Sequence, residues 1–268
     1  MNQTSLNRSF TTWSLLGFAA PSIIMMVFMS LYTIVDGIFI SRFVGSNALS
    51  SLNIVYPMIS VVIAIATMFA TGGNAIVSRY LGQGQEKQAR EALTEFVVIG
   101  VLISTVFAAL VILFEDPICR FLGANDELMA DCKAYLTISM LFAPACTLQT
   151  LFQSYFVTAS RPGLGLWLTV AAGILNAVLD YVLIVPIPLG IAGAALATGF
   201  GQLLPAVVGL IFFAIPRKTL RFCRFSFRPW EIRDACINGS SEMIGQMATA
   251  ITTFLFNIIL MRLAGSDG

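Results

Sequence analysis

Histidine does not occur in these 268 residues, and charge is nearly as scarce, with 15 Lys and Arg against 14 Asp and Glu. Without histidine there is no His-based triad, His-ligated zinc or His-ligated haem, so any proton chemistry falls to carboxylates, tyrosines or lysines. Charged residues make up only 11% of the chain. A soluble domain carries about a quarter, and this few cannot coat a globule of such length. The net charge of +1, with the bases in short clusters, excludes a nucleic-acid binder. The five cysteines, Cys119, Cys132, Cys146, Cys223 and Cys236, form no CxxC pair and are odd in number. They read as packing residues, with no redox or metal role. A cleavable leader is also missing: the apolar stretch from Trp13 outruns a signal-peptide core and leads straight into further apolar segments.

What is abundant is hydrocarbon, with 57% hydrophobic residues and a mean hydropathy of +0.87. A helix needs about 20 apolar residues to cross a bilayer core. Seven stretches meet or nearly meet that length, at 14–40, 49–80, 92–114, 130–158, 164–186, 190–215 and 236–264. The second and fourth are longer than a crossing needs, which implies tilt or protrusion. The segments lack the period-2 alternation of barrel strands and exceed their length. The predicted class is an all-α integral membrane protein.

Lysine and arginine set the orientation. With the N-terminus inside, the cytoplasmic side holds Arg8, then Arg79, Lys87 and Arg90, then Arg161, then Arg217, Lys218, Arg221, Arg224, Arg228 and Arg233. The opposite side holds only Arg42, Arg120, Lys133 and Arg262. This bias predicts a cytoplasmic N-terminus and an external residue 268. The longest polar stretch, PRKTLRFCRFSFRPWEIRD at 216–234, reads as an inside-positive loop lying along anionic headgroups, with specific lipid or regulator binding as the alternative.

An offset of 220 residues lays Ile38–Asn47 over Ile258–Asp267, with Ile, Arg, Gly and Ser coinciding. Six spans separate the copies, so both run in the same direction, as in parallel repeats of six-helix units. The predicted organisation is a six-helix lobe at 1–215, a basic inter-lobe linker at 216–235, and the first helix of a second lobe at 236–268. One lobe and one helix of a two-lobe plan imply a truncated protein or fragment.

Ionisable groups inside a span cost about 2.5 to 3.5 kcal/mol at the helix centre and mark function by default. Four carboxylates qualify: Asp36, Glu95, Asp180 and Glu242. Asp36 precedes the outer Arg42 by six residues, and Asp180 precedes the outer Pro186 by six. At 1.5 Å per residue both sit about 9 Å below the outer end. Two acids at one depth would have raised and coupled pKa values, suited to exchanging a proton or holding Na⁺. Asn176 lies four residues before Asp180 on the same helix face, adding a neutral oxygen beside an anionic one, the ligand type hard cations prefer. Gln149, Gln153, Tyr135 and Thr198 are either lining for the same interior or helix-helix glue. Glu95, one turn past Glu91, reads as a solvated helix start. Glu242 lies in the lower half of the seventh span, where it would line a pathway between two lobes. Pro21 should bend the first helix, as a gate or as a static kink. Met25, Met26 and Met29 suit an adaptable apolar cavity, or serve as ordinary filler. Gly72-Gly73 and Gly82-Gln83-Gly84 read as helix packing and a tight turn, because no K-[ST] follows to make a phosphate loop.

The segments PSIIMMVFMSLYTIVDGIFISRFVGSNAL, GGNAIVSRYLGQGQEKQAR, GILNAVLDYVLI and NGSSE together resemble the multidrug and toxic compound extrusion (MATE) family, with the nearest likeness to its MepA-like bacterial branch. The resemblance covers the whole chain. It implies twelve helices in two six-helix lobes, a bacterial plasma-membrane location, and export of cationic amphipathic drugs in exchange for H⁺ or Na⁺, with no cofactor beyond the coupling ion. By the same resemblance the first-helix acid falls on Asp36, the bent-helix proline on Pro21, the fifth-helix Asn and Asp on Asn176 and Asp180, the sixth-helix Thr on Thr198, and the fourth-helix polar residue on Gln149 or Gln153. The expected partners are the bilayer, the drug and a second lobe. Three rivals remain at this point: a flippase for lipid-linked sugars, a non-transporting membrane fragment, and an intramembrane aspartyl hydrolase using Asp36 and Asp180. The first calls for cations inside the cavity, yet every Lys and Arg falls near a span end. The last calls for Gly beside the second acid, where Tyr181 stands.

Overall fold

The computed structural model describes residues 37–216 and 220–264, preceded by Ala20, Ile23, Ile24, Val27, Phe28, Ser30 and Ile34. Among these residues every regular element is helical. A single π-helical turn, Ile40–Val44, leads into α1 (Ser46–Gly82), α2 (Glu86–Leu113), the short α3 (Glu115–Leu122), α4 (Met129–Leu141), α5 (Ala143–Thr158), α6 (Pro162–Ile184), α7 (Ile191–Ala214) and α8 (Pro229–Ala264). Composition dictates this: in hydrocarbon each backbone N–H or C=O without an internal partner costs several kcal/mol, and a helix satisfies them within the segment. Five helices are long and apolar enough to cross a bilayer, and α4 with α5 makes a sixth crossing if the bent pair counts as one.

Six of the seven predicted spans therefore have counterparts, while most of 14–40, including Pro21 and Asp36, lies outside the described residues. Three boundaries differ from expectation. The predicted fourth span is broken, because α4 and α5 meet at 50°. Pro144 in the first turn of α5 has no N–H to offer the Met140 carbonyl, which weakens the helix at the point where it bends. The last helix starts at Pro229 rather than 236, since Pro fits a first helical position and the charged residues after it are accommodated there, Glu231 by pairing with Arg228 and Arg233 by exposure. The third starts at Glu86 rather than 92, again through a polar first turn, with Glu86 favoured at the positive end of the helix.

Two apolar clusters hold the bundle, and α1 passes through both. Its Ala48, Val55 and Val62 pack with Leu122, Leu128, Leu136 and Ile191. Further along, its Phe69, Ile76 and Val77 pack with Phe96, Phe152, Tyr155, Phe156 and Phe213. Large apolar side chains also point outward, Leu102, Val106 and Leu110 on α2 and Ile174, Val178 and Tyr181 on α6 among them. Such stripes are untenable in water and ordinary as the lipid-facing surface of a membrane bundle.

The most extensive contact between helices joins α1 to α8. It is a glycine crossing: a Cβ on Gly72 would strike the Ala235 carbonyl, and one on Gly239 would strike the Met68 carbonyl. Absence of side chains at these two positions lets the backbones touch, the usual way membrane helices gain packing energy. Beyond the crossing α8 is mostly exposed, although Ala250 is buried and Phe254 stacks on Phe121.

Candidate ion and substrate cleft

Polar residues in an apolar bundle collect where they can share one another's hydrogen bonds, and here they collect between α5, α6 and α7. On α6, Asn176 and Asp180 are one turn apart and both buried, at 3% and 0% exposure. On α7, Thr198 and Gln202 have the same i, i+4 relation and face α6 across Gly201, where an added Cβ would lie 3.2 Å from that of Asn176. Gln149 enters from α5. A narrow cleft is lined by Gln149, Thr169, Asn176, Thr198 and Gln202, with Ala172, Gly173 and Gly201 providing the space.

A second cleft adjoins it and shares Thr198 and Gln202 as a common wall. Its other walls are Ile59 and Val62 of α1, Tyr135, Ser139 and Met140 of α4, Phe142 at the break, Ala143 and Cys146 of α5, and Ala195 and Gly199 of α7. The break at Phe142 thus opens one side of this space. One cleft is amide-rich and the other is mostly apolar with a phenol at its edge. The arrangement offers oxygen ligands for a cation on one side and hydrocarbon for an organic body on the other.

Hydrogen-bonding capacity is left over at the site. Asn176 Nδ2 and Thr198 Oγ1 are buried with no hydrogen-bond partner among the described residues. Buried polar atoms in a membrane bundle are costly unless something occupies them, which marks the cleft as a place for a ligand or water.

The structure brings together Gln149, Asn176 and Thr198 in the first cleft and Tyr135 and Thr198 in the second. Asp180 lies one turn beyond Asn176 and lines neither cleft. Gln153 points instead at α6, donating from Nε2 to Thr169 Oγ1 at 3.1 Å, while Thr169 Oγ1 donates to the Gly165 carbonyl at 2.9 Å. Glu242 is exposed on α8 and belongs to neither cleft. Three polar lining residues escaped the sequence reading, Ser139, Thr169 and Gln202. Gln202 carried a usable signal, a polar side chain one turn from Thr198 in an otherwise apolar span.

Glu95 reverses its expectation. It is buried at 1% exposure rather than solvated, and its Oε1 accepts a 2.8 Å hydrogen bond from the Arg228 backbone N–H. The segment before α8 folds back over this end of α2 and covers the acid. It runs along the helices, with Leu220 buried and the Phe222 ring 6.0 Å from that of Phe213.

Comparison with known proteins gives a consistent outcome. The family model described as MatE matches residues 21–182. The multidrug export protein MepA of Staphylococcus saprophyticus is 27% identical over 197 residues, covering 73% of this chain and 44% of its own length. MepA of Staphylococcus aureus is 24% identical over 200 residues, covering 75% of this chain and again 44% of the relative. The chain thus spans less than half the length of the curated relatives it matches. Among solved structures, the MATE multidrug transporter DinF-BH superposes with a TM-score of 0.87 at 21% identity, covering 98% of this chain and 60% of that one. An inward-facing MATE multidrug resistance transporter gives 0.83 at 20% identity, with 89% and 55% covered. At these identities the structures establish a shared fold.

Proposed function

The chain belongs to the MatE family, and from that premise we propose that it serves in the efflux of cationic amphipathic drugs across a bacterial plasma membrane in exchange for H⁺ or Na⁺. Its matched relatives are named as export proteins and transporters rather than enzymes. The reading assigns 1–215 to one lobe, 216–235 to a cytoplasmic linker and 236–268 to the first helix of a second lobe, with the N-terminus cytoplasmic.

One observation carries the reading: Gln149, Asn176 and Thr198 converge on a buried cleft, with Asp180 one turn from Asn176 on the same helix. A carboxylate there attracts a cation, and the neighbouring amide and hydroxyl oxygens replace the hydration that a cation loses on entry. A proton or Na⁺ at Asp180, with Asp36 as the second acid, and a cationic drug in the adjoining apolar cleft then compete for the same negative charge. Competition of this kind biases two conformations only through differential affinity, which a carboxylate that charges and discharges supplies. Tyr135 and Thr198 complete the cavity in this reading, Gln153 braces its wall through Thr169, Pro21 lets the first helix bend, and Glu242 stands on the face of α8 that a second lobe would cover.

Titration of ethidium into the purified chain in lipid nanodiscs provides the test. Binding is expected to weaken as pH falls or Na⁺ rises, Asp180→Asn should remove that dependence, and Thr198→Ala should raise Kd about fivefold, the loss of one hydrogen bond worth about 1 kcal/mol. Ethidium binding that ignores pH, Na⁺ and Asp180→Asn alike defeats the coupling role.

A further inference from the structure

The segment Leu220–Arg228 is a strap pinned along its length. The Phe222 N–H donates to the Phe213 carbonyl at 2.8 Å, the Cys223 N–H to Thr94 Oγ1 at 3.2 Å, and the Arg228 N–H to Glu95 Oε1 at 2.8 Å. The Arg228 side chain then bridges two helices, with Nη2 2.7 Å from Glu91 Oε2 on α2 and Nη1 2.9 Å from Glu231 Oε1 on α8. Tyr80 of α1 donates to the same Glu231 oxygen at 2.8 Å. Two carboxylates thus hold the Arg228 guanidinium, and a third, Glu95, accepts from its backbone N–H.

Their partners are unequal. Glu91 has Arg228 and, at 3.8 Å, the exposed Lys87. Glu231 has Arg228 and the Tyr80 phenol. Glu95 receives an uncharged backbone amide, and its other oxygen, Oε2, is buried with no hydrogen-bond partner among the described residues, as is Glu231 Oε2. Other nearby charges among the described residues have contacts of their own: Arg90 pairs with Glu86 at 2.7 Å, Arg233 with Asp234 at 3.4 Å, and Arg79 lies over the Tyr80 ring at 5.5 Å. An ionised Glu95 would be a buried charge beside two other carboxylates, Glu91 and Glu231, which already hold the Arg228 guanidinium. A neutral one costs far less.

We propose that Glu95 carries a proton while the strap is seated, making it a protonation site separate from the cleft and a pH-responsive latch between the strap, α2 and α8. No residue of the cluster lines either cleft. The seated strap binds one more proton than the released strap, in which Glu95 meets water and ionises. Seating is therefore favoured at low pH and lost as pH rises through the seated-state pKa of Glu95.

The chain carries its own reporter, because Cys223 sits in the strap and Cys236 on α8, both half-buried. Maleimide labelling of the purified chain in nanodiscs is read by mass spectrometry as the ratio of Cys223 to Cys236 at each pH, which corrects for reagent concentration and labelling time, and is referred to the same ratio in Glu95→Gln. The ratio is expected to rise with pH in the wild type, and Glu95→Gln, which mimics the protonated acid, should lose that rise and keep Cys223 protected. Infrared spectra of wild type labelled with ¹³C-glutamate need no variant. A protonated carboxyl band shifted by the label should be present at low pH and vanish with the same midpoint as the labelling. A pH-independent ratio, a Glu95→Gln protein that retains the wild-type profile, or the absence of a labelled protonated band overturns the proposal.

Discussion

Cys119 shows how far burial alone sets the chemistry of a single side chain. It lies on α3, outside the spans, fully buried against Cys132, and burial first, then the neighbouring Cys132 and Glu115, pushes its thiol up to about 12 from the usual 9.0. At pH 8 about one molecule in ten thousand carries the thiolate. N-ethylmaleimide at that pH is expected to modify Cys223 and leave Cys119 untouched until the chain is unfolded; prompt labelling of Cys119 in folded protein would contradict its placement. The reading of the cysteines as packing residues came from their spacing, and all five are free thiols here. Glu95 is the opposite case. Its position one turn after Glu91 resembles any polar helix start, and only the strap folding over it makes it a buried acid. Thr169 was equally opaque, because its cleft-facing role depends on α7 lying across α6 at that level.

Two of the helices are shaped by single residues. The 50° bend between α4 and α5 falls at Pro144, which removes the hydrogen bond that a continuous helix would place on the Met140 carbonyl. Pro144→Ala restores the donor and is expected to straighten the pair, close the second cleft where Phe142 and Ala143 line it, and weaken ethidium binding while raising thermal stability. Unchanged binding and melting would show that packing rather than proline holds the bend. At the α1–α8 crossing the controlling residue is Gly239. Gly239→Leu drives a side chain into the Met68 carbonyl and forces the backbones apart, at a cost of about 3 kcal/mol. Denaturant unfolding in micelles should lose that much stability, whereas Gly245→Leu, with open space at its Cβ, should lose little beyond local effects. The crossing was half legible in the sequence: Gly72 read as helix packing, but its partner on α8 did not, since a helix 36 residues long presents many small positions.

For the molecule as a whole, the distribution of Lys and Arg predicts the orientation in the membrane. Asp126, with a side chain 91% exposed in the loop after α3, should become an external handle as Asp126→Cys, labelled by an impermeant maleimide in intact cells, while Cys223 should react only after permeabilisation. The reverse pattern would invert the topology and the direction of transport with it. By itself the sequence determined the helical membrane class, the approximate spans, the i, i+4 pairing of Asn176 with Asp180 and the family resemblance that the MatE match upholds. These follow from desolvation of backbone and charge, which acts on each segment whatever its neighbours. Tertiary structure decided the rest: which faces of α5, α6 and α7 meet at Gln149, Asn176, Thr198 and Gln202, where the fourth span breaks, and how the strap buries Glu95. The physical reason is that lipid is as apolar as the protein interior. A spanning helix therefore carries little amphipathic signal to say which way it turns, and close packing between helices has to choose.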